Sequence, residues 1–347
     1  MDFEKALINA DKIYSNLEPK DIVKLAYQSE FGCGHLIQDF DEARDFLSDE
    51  WDNAKLCGTL YEEIGDGNCR INIGDARKAG LSMSTFFRMF AASARQKGTV
   101  SGLCAKLDKA MELAKASKIK VSHTALCEYV DEYKAKDCPV ESHSAEYRKA
   151  YSPSYRVVDI EYCKYLKIFI AIDKLLQKKC APIIGIDGNA AAGKTTVAQL
   201  LSNIYPCSVV HADSFFLPQE KRTVSRLSEI GGNIDYERLK SEVLDNLPTQ
   251  KDFTYNIFDC SLMKINKTAT VCAFLPVIIE GSYSLHPYFK NIYDLRVFLH
   301  IDAKAQSERI LVRNGSQMHE RFINTWIPME QRYFDEYKIE NNCEIII

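Results

Sequence analysis

Residues 185–196 read GIDGNAAAGKTT. From Gly188 to Thr195 they fit the spacing GxxxxGK[ST], behind the apolar run Ile183, Ile184, Gly185, Ile186 and ahead of TVAQLLSNI, which reads as a helix. A strand, a glycine-rich turn and a helix in that order leave the chain little choice. The glycines let the backbone turn its N–H groups inward, and the helix N-terminus adds partial positive charge, so the loop is suited to phosphate. The expected contacts are Gly188, Asn189, Ala190, Ala191, Ala192, Gly193, Lys194, Thr195 and Thr196. Lys194 would reach the outer phosphates, and the Thr195 hydroxyl would ligate magnesium. The plainer reading is a glycine-rich turn entering a helix with no ligand.

The surroundings of the loop change texture at Ala181 and Pro182. Beyond them the short apolar runs PIIGID, CSVVHAD, PVIIEG and LRVFLHID alternate with helical patterns such as YERLKSEVLDNL and AQSERILVRN. This alternation predicts an α/β domain over residues 180–347, with a parallel sheet covered on both faces. Before the change, stretches such as GLCAKLDKAMELAKAS and YCKYLKIFIAIDKLLQKK repeat apolar residues at three- and four-residue spacing. A mainly α-helical domain is therefore expected over residues 1–179. A length of 347 residues suits two such cores.

A phosphate-binding loop alone does not separate ATPases, GTPases, motors and small-molecule kinases. Asp213, in SVVHADSFFLP, follows an apolar run at the end of a strand, where open parallel sheets face their ligands, and it is placed to act as a base. Glu280, in PVIIEG, ends another such run and could hold magnesium directly or through water. The alternatives are a helix cap for Asp213 and a solvated strand end for Glu280. Arg309 and Arg313 are four residues apart, on one face of a helix, and could clamp a transferring phosphoryl group or simply face solvent. Nearby aromatics, Phe215, Phe216, Tyr255 and Tyr283, could stack on a base or sugar, or belong to the core.

Taken together, GIDGNAAAGKTT, HADSFFLP, GGNIDYERL, VIIEGSYSLHP, RILVRNG and WIPMEQRYFDEY followed by CEIII resemble the uridine kinase and phosphoribulokinase group of P-loop kinases. The resemblance covers residues from about 182 to the end. It implies a P-loop NTPase-type core of five parallel strands, ATP with Mg2+ as donor, and a hydroxyl of a small molecule as acceptor, a nucleoside first. It also implies that Asp213 is the base, that Asp235 holds the acceptor's hydroxyls, and that Arg309 and Arg313 are lid arginines working with Lys194. Tyr236, Phe215 and Tyr283 join Asp235 as the expected acceptor side. Uridine kinases proper tend to carry a histidine shortly after the substrate aspartate, where this chain has Tyr236 and Glu237. A sugar-like or polyol acceptor is the alternative within the same chemistry. A nucleotide-sensing regulatory protein is the alternative outside it.

The first half carries no recognised activity. In YQSEFGCGHLI and ESHSAEYRKAYSPSYRVV, Glu30, Cys33, His35 and His143 are of metal-ligating type, and Arg148 and Arg156 could bind an anion. A net charge of −4 provides no electrostatic footprint for nucleic acid or an anionic membrane, so neither is expected as a partner. Self-association is compatible with the sequence. Twelve cysteines without any CxxC spacing predict reduced thiols. An acidic start, with no apolar stretch of membrane-spanning length, predicts a cytoplasmic protein.

Overall fold

The apolar run before the phosphate-binding loop lies at the centre of a parallel sheet. The structure, a computed structural model, describes residues 1–37, 39–95, 98–259 and 262–347, and the chain divides into two compact units, Met1–Leu166 and Lys167–Ile347.

In the second unit the strands are β4 (Ile183–Gly188), β5 (Ser208–His211), β8 (Val277–Glu280), β9 (Leu295–Leu299) and β10 (Ile345–Ile346). They pair in the order β10-β9-β4-β8-β5, every pair parallel. The central strands β4 and β8 are buried along their whole length, which is why they read as unbroken apolar runs and not as alternating ones. The helix Lys194–Ile204 buries Val197, Ala198, Leu201 and Ile204. Phe215, Leu239, Val243, Tyr255, Ile279, Phe298 and Tyr333 belong to one buried hydrophobic cluster. This is an α/β fold of P-loop NTPase-like architecture. The sequence pattern did not announce the antiparallel hairpin of β6 (Phe253–Asp259) and β7 (Lys264–Val271). Along YERLKSEVLDNL only Tyr236–Leu239 is α-helical, and Lys240–Leu244 widens to a π-turn.

The helix Leu166–Leu176 lies at the division. Within the second unit, Tyr205 donates its hydroxyl to the Phe169 carbonyl (3.1 Å) and to Asp173 Oδ1 (3.0 Å), and this ties residues 167–179 to the end of Lys194–Ile204. Another long element, Ala303–Arg321, is two helical pieces joined at Gly315 (φ 76°, ψ 171°). Ser307 Oγ and His319 Nε2 are 2.7 Å apart. Twelve residues of straight helix would span about 18 Å, so the chain reverses at that glycine.

The first unit is helical at its start, with Phe3–Ile13, Pro19–Phe31 and Phe40–Trp51, and it also contains a sheet. Strands β1 (Tyr61–Gly65), β2 (Asn68–Asn72) and β3 (Tyr155–Asp159) form an antiparallel layer in that order. The break IGDGN is the hairpin turn, with Asp66 and Gly67 both at positive φ, as a two-residue Asp-Gly turn requires. β2 and β3 are buried at successive residues, so neither shows the alternation that marks a strand in sequence.

A bridge between β2 and the short helix Ile160–Lys164 that follows β3 corrects the expectation of reduced thiols. Cys69 and Cys163, 94 residues apart, are joined by a disulfide that local spacing could not indicate. Nine other cysteines are free thiols, and Cys260 lies outside the described residues. Closing a loop of this length stabilises the folded unit by up to about 4–5 kcal/mol in the chain-entropy model. Replacing both cysteines by alanine is expected to lower the unfolding free energy of Met1–Leu166 by about 2–5 kcal/mol. Denaturant unfolding followed by circular dichroism checks this, and an unmoved midpoint would show that the bridge contributes nothing.

Candidate functional site

All five sheet strands run the same way, so the ends of β4, β5 and β8 meet at one edge. At the end of β4, Gly188 has φ 139°, and a Cβ there would lie 2.1 Å from the Leu299 carbonyl oxygen, so only glycine fits. Ala191 (φ 61°) and Gly193 (φ 102°) are left-handed, which turns successive loop amides to one side. The helical ladder begins with Val197 N–H donating to the Gly193 carbonyl (2.9 Å). The amides of Lys194, Thr195 and Thr196 therefore precede any intrahelical acceptor. Lys194 Nζ donates to the carbonyls of Gly188 (2.7 Å) and Asn189 (3.0 Å).

Three further groups hold the loop from outside. Ala190 N–H donates to buried Glu330 (3.0 Å), whose other oxygen accepts from Ser282. Gln306 Nε2 donates to the Ala190 carbonyl (3.0 Å), and Arg309 Nη1 donates to that of Ala191 (3.1 Å). Sequence reasoning missed Glu330 and Gln306 because nothing near them marks a carboxylate or amide that turns toward a distant loop.

Thr195 Oγ1 donates to Glu280 Oε1 at 3.1 Å, which brings together the two residues expected at a magnesium ion. The same oxygen meets His211 Nδ1, a partner that the sequence reading did not identify. This hydrogen bond to Glu280 raises the His211 pKa, against the opposing effect of burial. Asp213 follows β5 in the turn Ala212–Phe215. Its side chain faces open space, yet the crowded cleft around it withdraws enough water to raise its pKa. Glu280 pushes the same way, while Lys194, His211 and Arg313 pull it down. Arg313 is exposed, with Nε on Asn314 Oδ1 and its guanidinium over the Phe322 ring.

The acceptor-side residues are placed less uniformly. Asp235 is buried, caps Tyr236–Leu239 through the Arg238 amide and accepts from Lys221 Nζ at 2.8 Å. With Lys221, Arg238 and Tyr288 it lines a cavity of about 460 Å3. Tyr236 stacks on His286 at 4.8 Å and lies under the Arg226 guanidinium at 3.8 Å. Phe215 is fully buried against Tyr255, and Tyr283 is buried edge-on to Tyr333. These three are held by packing with protein groups. In the first unit, Glu30 pairs with Lys106, Cys33 donates to the Phe90 carbonyl and His143 pairs with Asp21. No group of three or more His, Cys, Asp or Glu side chains converges on a metal position among the described residues.

The edge of the second unit suits a polyphosphate with a hard divalent cation. It offers first-turn amides, an ammonium, a hydroxyl and a carboxylate, around a glycine whose missing side chain lets strand and loop close up. No helix among the described residues is long and apolar enough to cross a membrane.

Behind the loop, Asp187 is fully buried and accepts three hydrogen bonds: from Gly188 N–H (2.8 Å), Leu285 N–H (3.1 Å) and Tyr333 OH (2.9 Å). Burial outweighs these donors and Lys194, and raises the carboxyl pKa to about 6. Between the unfolded value near 4 and this one, the folded state binds the extra proton. The group's contribution to stability is therefore full below about pH 4 and lost as pH rises through about 6. That difference corresponds to about 3 kcal/mol. Denaturation of the wild type and of Asp187→Asn across that window is expected to show the decline in the wild type alone. Parallel pH profiles would remove it.

No family model matches the chain. Over 163 residues, 44% of its length, the chain is 28% identical to uridine-cytidine kinase C of Dictyostelium discoideum. The match spans 36% of that relative's length. Among solved structures, a possible uridine kinase from Bacillus stearothermophilus aligns over 52% of this chain and 99% of its own (TM-score 0.38, 20% identity). Deoxyadenosine kinase from M. mycoides aligns over 48% and 88% (TM-score 0.22, 15% identity).

Proposed function

We propose that the second unit transfers the terminal phosphoryl group of ATP to a hydroxyl of a small molecule, with a nucleoside as the first candidate acceptor. The observation that carries this is the meeting of Lys194, Thr195, Glu280 and Asp213 at one sheet edge, with Thr195 3.1 Å from Glu280 and Asp213 within the electrostatic reach of Lys194 and Glu280. A nucleotide sensor would need the loop but not a carboxylate with a raised pKa beside it. The distant likeness to a uridine-cytidine kinase supports the nucleoside.

In this reading, the amides of Ala191, Gly193, Lys194, Thr195 and Thr196 hold the phosphates, since those of Gly188, Asn189, Ala190 and Ala192 already donate to protein acceptors. Thr195 and Glu280 would hold magnesium, which would supply charge neutralisation on the phosphate oxygens. Asp213 accepts the proton of the acceptor hydroxyl as its oxygen bonds to the terminal phosphorus. The bond to the bridging oxygen breaks and ADP leaves with that electron pair. Lys194 exchanges its two loop carbonyls for phosphate oxygens, and Arg309 and Arg313 offset the charge on the transferring group. Asp235, with Lys221, orients the acceptor's hydroxyls, and Tyr236, Phe215 and Tyr283 stiffen the wall behind them.

Acceptor-dependent ADP release from a panel of nucleosides, sugars and polyols tests the reaction. Nucleosides are expected to give the highest kcat/KM. A polyol preference would move the acceptor class, and release indifferent to any alcohol would leave only nucleotide hydrolysis. Lys194→Ala is expected to abolish transfer while the fold is kept. Asp213→Asn should lower kcat by about 10²–10⁴ with ATP binding retained, and excess magnesium should not restore it. Glu280→Gln should respond to magnesium. The opposite pattern of rescue would exchange the two roles. Because the Asp213 pKa is raised and a base must be ionised, the acid limb of kcat/KM should lie above the ordinary aspartate value of about 3.9.

A further inference from the structure

The two stretches of the first unit that stood out in sequence, 27–37 and 141–158, come together at one cavity of about 890 Å3. That volume is within the range of small-molecule sites. Its lining carries three cations, Lys24, Arg148 and Arg156, and three carboxylates, Asp39, Glu42 and Glu50, which are not all paired with one another. Arg156 is held by Glu50 (2.8 Å) and by the Tyr155 carbonyl (3.0 Å), and Asp39 is occupied in capping Phe40–Trp51. Lys24 meets a main-chain carbonyl, that of Glu141 (3.1 Å), while the Glu141 carboxylate pairs with Lys20. Arg148 has no carboxylate within ion-pair reach among the described residues. Lys24 and Arg148 are thus two lining cations that make no ion pair among the described residues, and Glu42 is the lining carboxylate likewise left over. Beside them, His35 Nδ1 is buried with no hydrogen-bond partner among the described residues.

Another part of the lining is tied by a chain of hydrogen bonds. His143 Nδ1 is 2.8 Å from Asp21, and its Nε2 is 2.6 Å from the Tyr155 hydroxyl. Asp21 also accepts from the Ser144 amide (3.0 Å) and hydroxyl (2.7 Å). Burial pushes the His143 pKa down to about 4, so the imidazole is neutral near pH 7 and braces Tyr155 without adding charge. At the rim, Phe46 is 69% exposed, and the Arg156 guanidinium lies 5.7 Å from the Phe46 and Phe90 rings. A flat or apolar body has a surface there.

We propose that this cavity binds a small organic phosphate, its monoester dianion seated between Lys24 and Arg148 and its body against Phe46. A phosphate monoester carries nearly two charges and three acceptor oxygens, enough for Lys24, Arg148 and His35 together, whereas a carboxylate carries one charge on two oxygens. The site is independent of the kinase reading. The pKa of Lys24 is pushed down to about 8 by burial and by the cations Arg70 and Arg148, against the weaker pull of Glu141 and Asp21, with His35 also nearby. A bound dianion reverses that push, so binding near pH 8 takes up a proton.

Calorimetric titration of the full chain carrying Lys194→Ala, which removes the ammonium of the phosphate-binding loop, tests the site with four probes: inorganic phosphate, adenosine monophosphate, adenosine and malonate. In the Arg148-dependent part of the binding, adenosine monophosphate should be tightest, phosphate weaker and adenosine absent; any adenosine binding that is indifferent to Arg148 belongs to the acceptor side of the second unit. At pH 8 the heat should differ between buffers of different ionisation enthalpy, and affinity should fall as pH rises further. Adding Arg148→Ala, an exposed position, should weaken adenosine monophosphate at least tenfold at the first-unit cavity, and Arg148→Glu should abolish binding there. Absence of saturable binding by either phosphate probe, or affinity unchanged in Arg148→Ala, overturns the site. Malonate binding as tightly as phosphate overturns the phosphate assignment, and adenosine monophosphate no tighter than phosphate overturns the aromatic seat.

Discussion

The second unit depends on a carboxylate that takes no part in the proposed chemistry. Asp187 gathers donors from the loop that follows it, from the segment after β8 and from the helix Ile327–Tyr337, three stretches separated by about a hundred and about fifty residues. Without a common acceptor, the Leu285 amide and the Tyr333 hydroxyl would be buried unpaired, each at a cost of about 1–3 kcal/mol. The phosphate-binding loop is thus fixed from beneath before any ligand arrives. From its outer side Glu330, Gln306 and Arg309 fix the amide of Ala190 and the carbonyls of Ala190 and Ala191. Preorganisation of this kind is what phosphoryl transfer mainly asks of a protein, because positioning and charge neutralisation make up most of the task.

How much of this was legible depends on the range over which each feature is encoded. The loop, its strand and its helix are local, and 188–196 states them almost completely. Asp213 and Glu280 were readable because a carboxylate ending an apolar run is conspicuous, and parallel topology brings strand ends together. Asp187 stands in the same motif and was passed over, although a charged residue inside an apolar run already implies a buried acceptor. Glu330, His211 and Lys221 carry no local mark; their partners lie many residues away, and only the assembled sheet shows them. Phe215 and Tyr283 illustrate the reverse difficulty, since proximity to a motif in sequence does not separate a stacking ring from a core ring.

In the first unit the helical periodicity was legible and the sheet was not, because strands buried on both faces lose the alternation that identifies them. Their burial also explains the arginines. Arg70 and Arg156 stand on β2 and β3, and each is compensated by a carboxylate and a neutral oxygen: Glu62 with Gln28, and Glu50 with the Tyr155 carbonyl. A layer that carries paired cations inside has already met the desolvation cost of charge, and the neighbouring Lys24 and Arg148 add positive potential to the cavity beside it.

The bridge between Cys69 and Cys163 makes the segment between them a covalent ring. Both sulfurs belong to buried residues, whereas the turn at 116–122 on that ring is largely at the surface. A peptide bond hydrolysed anywhere within the ring opens it without releasing a fragment, and the strands β2 and β3 stay paired across the cut. Backbone continuity and molecular integrity are therefore separate properties in this unit. It can be nicked at a surface turn and still behave as one molecule until a reductant reaches its interior.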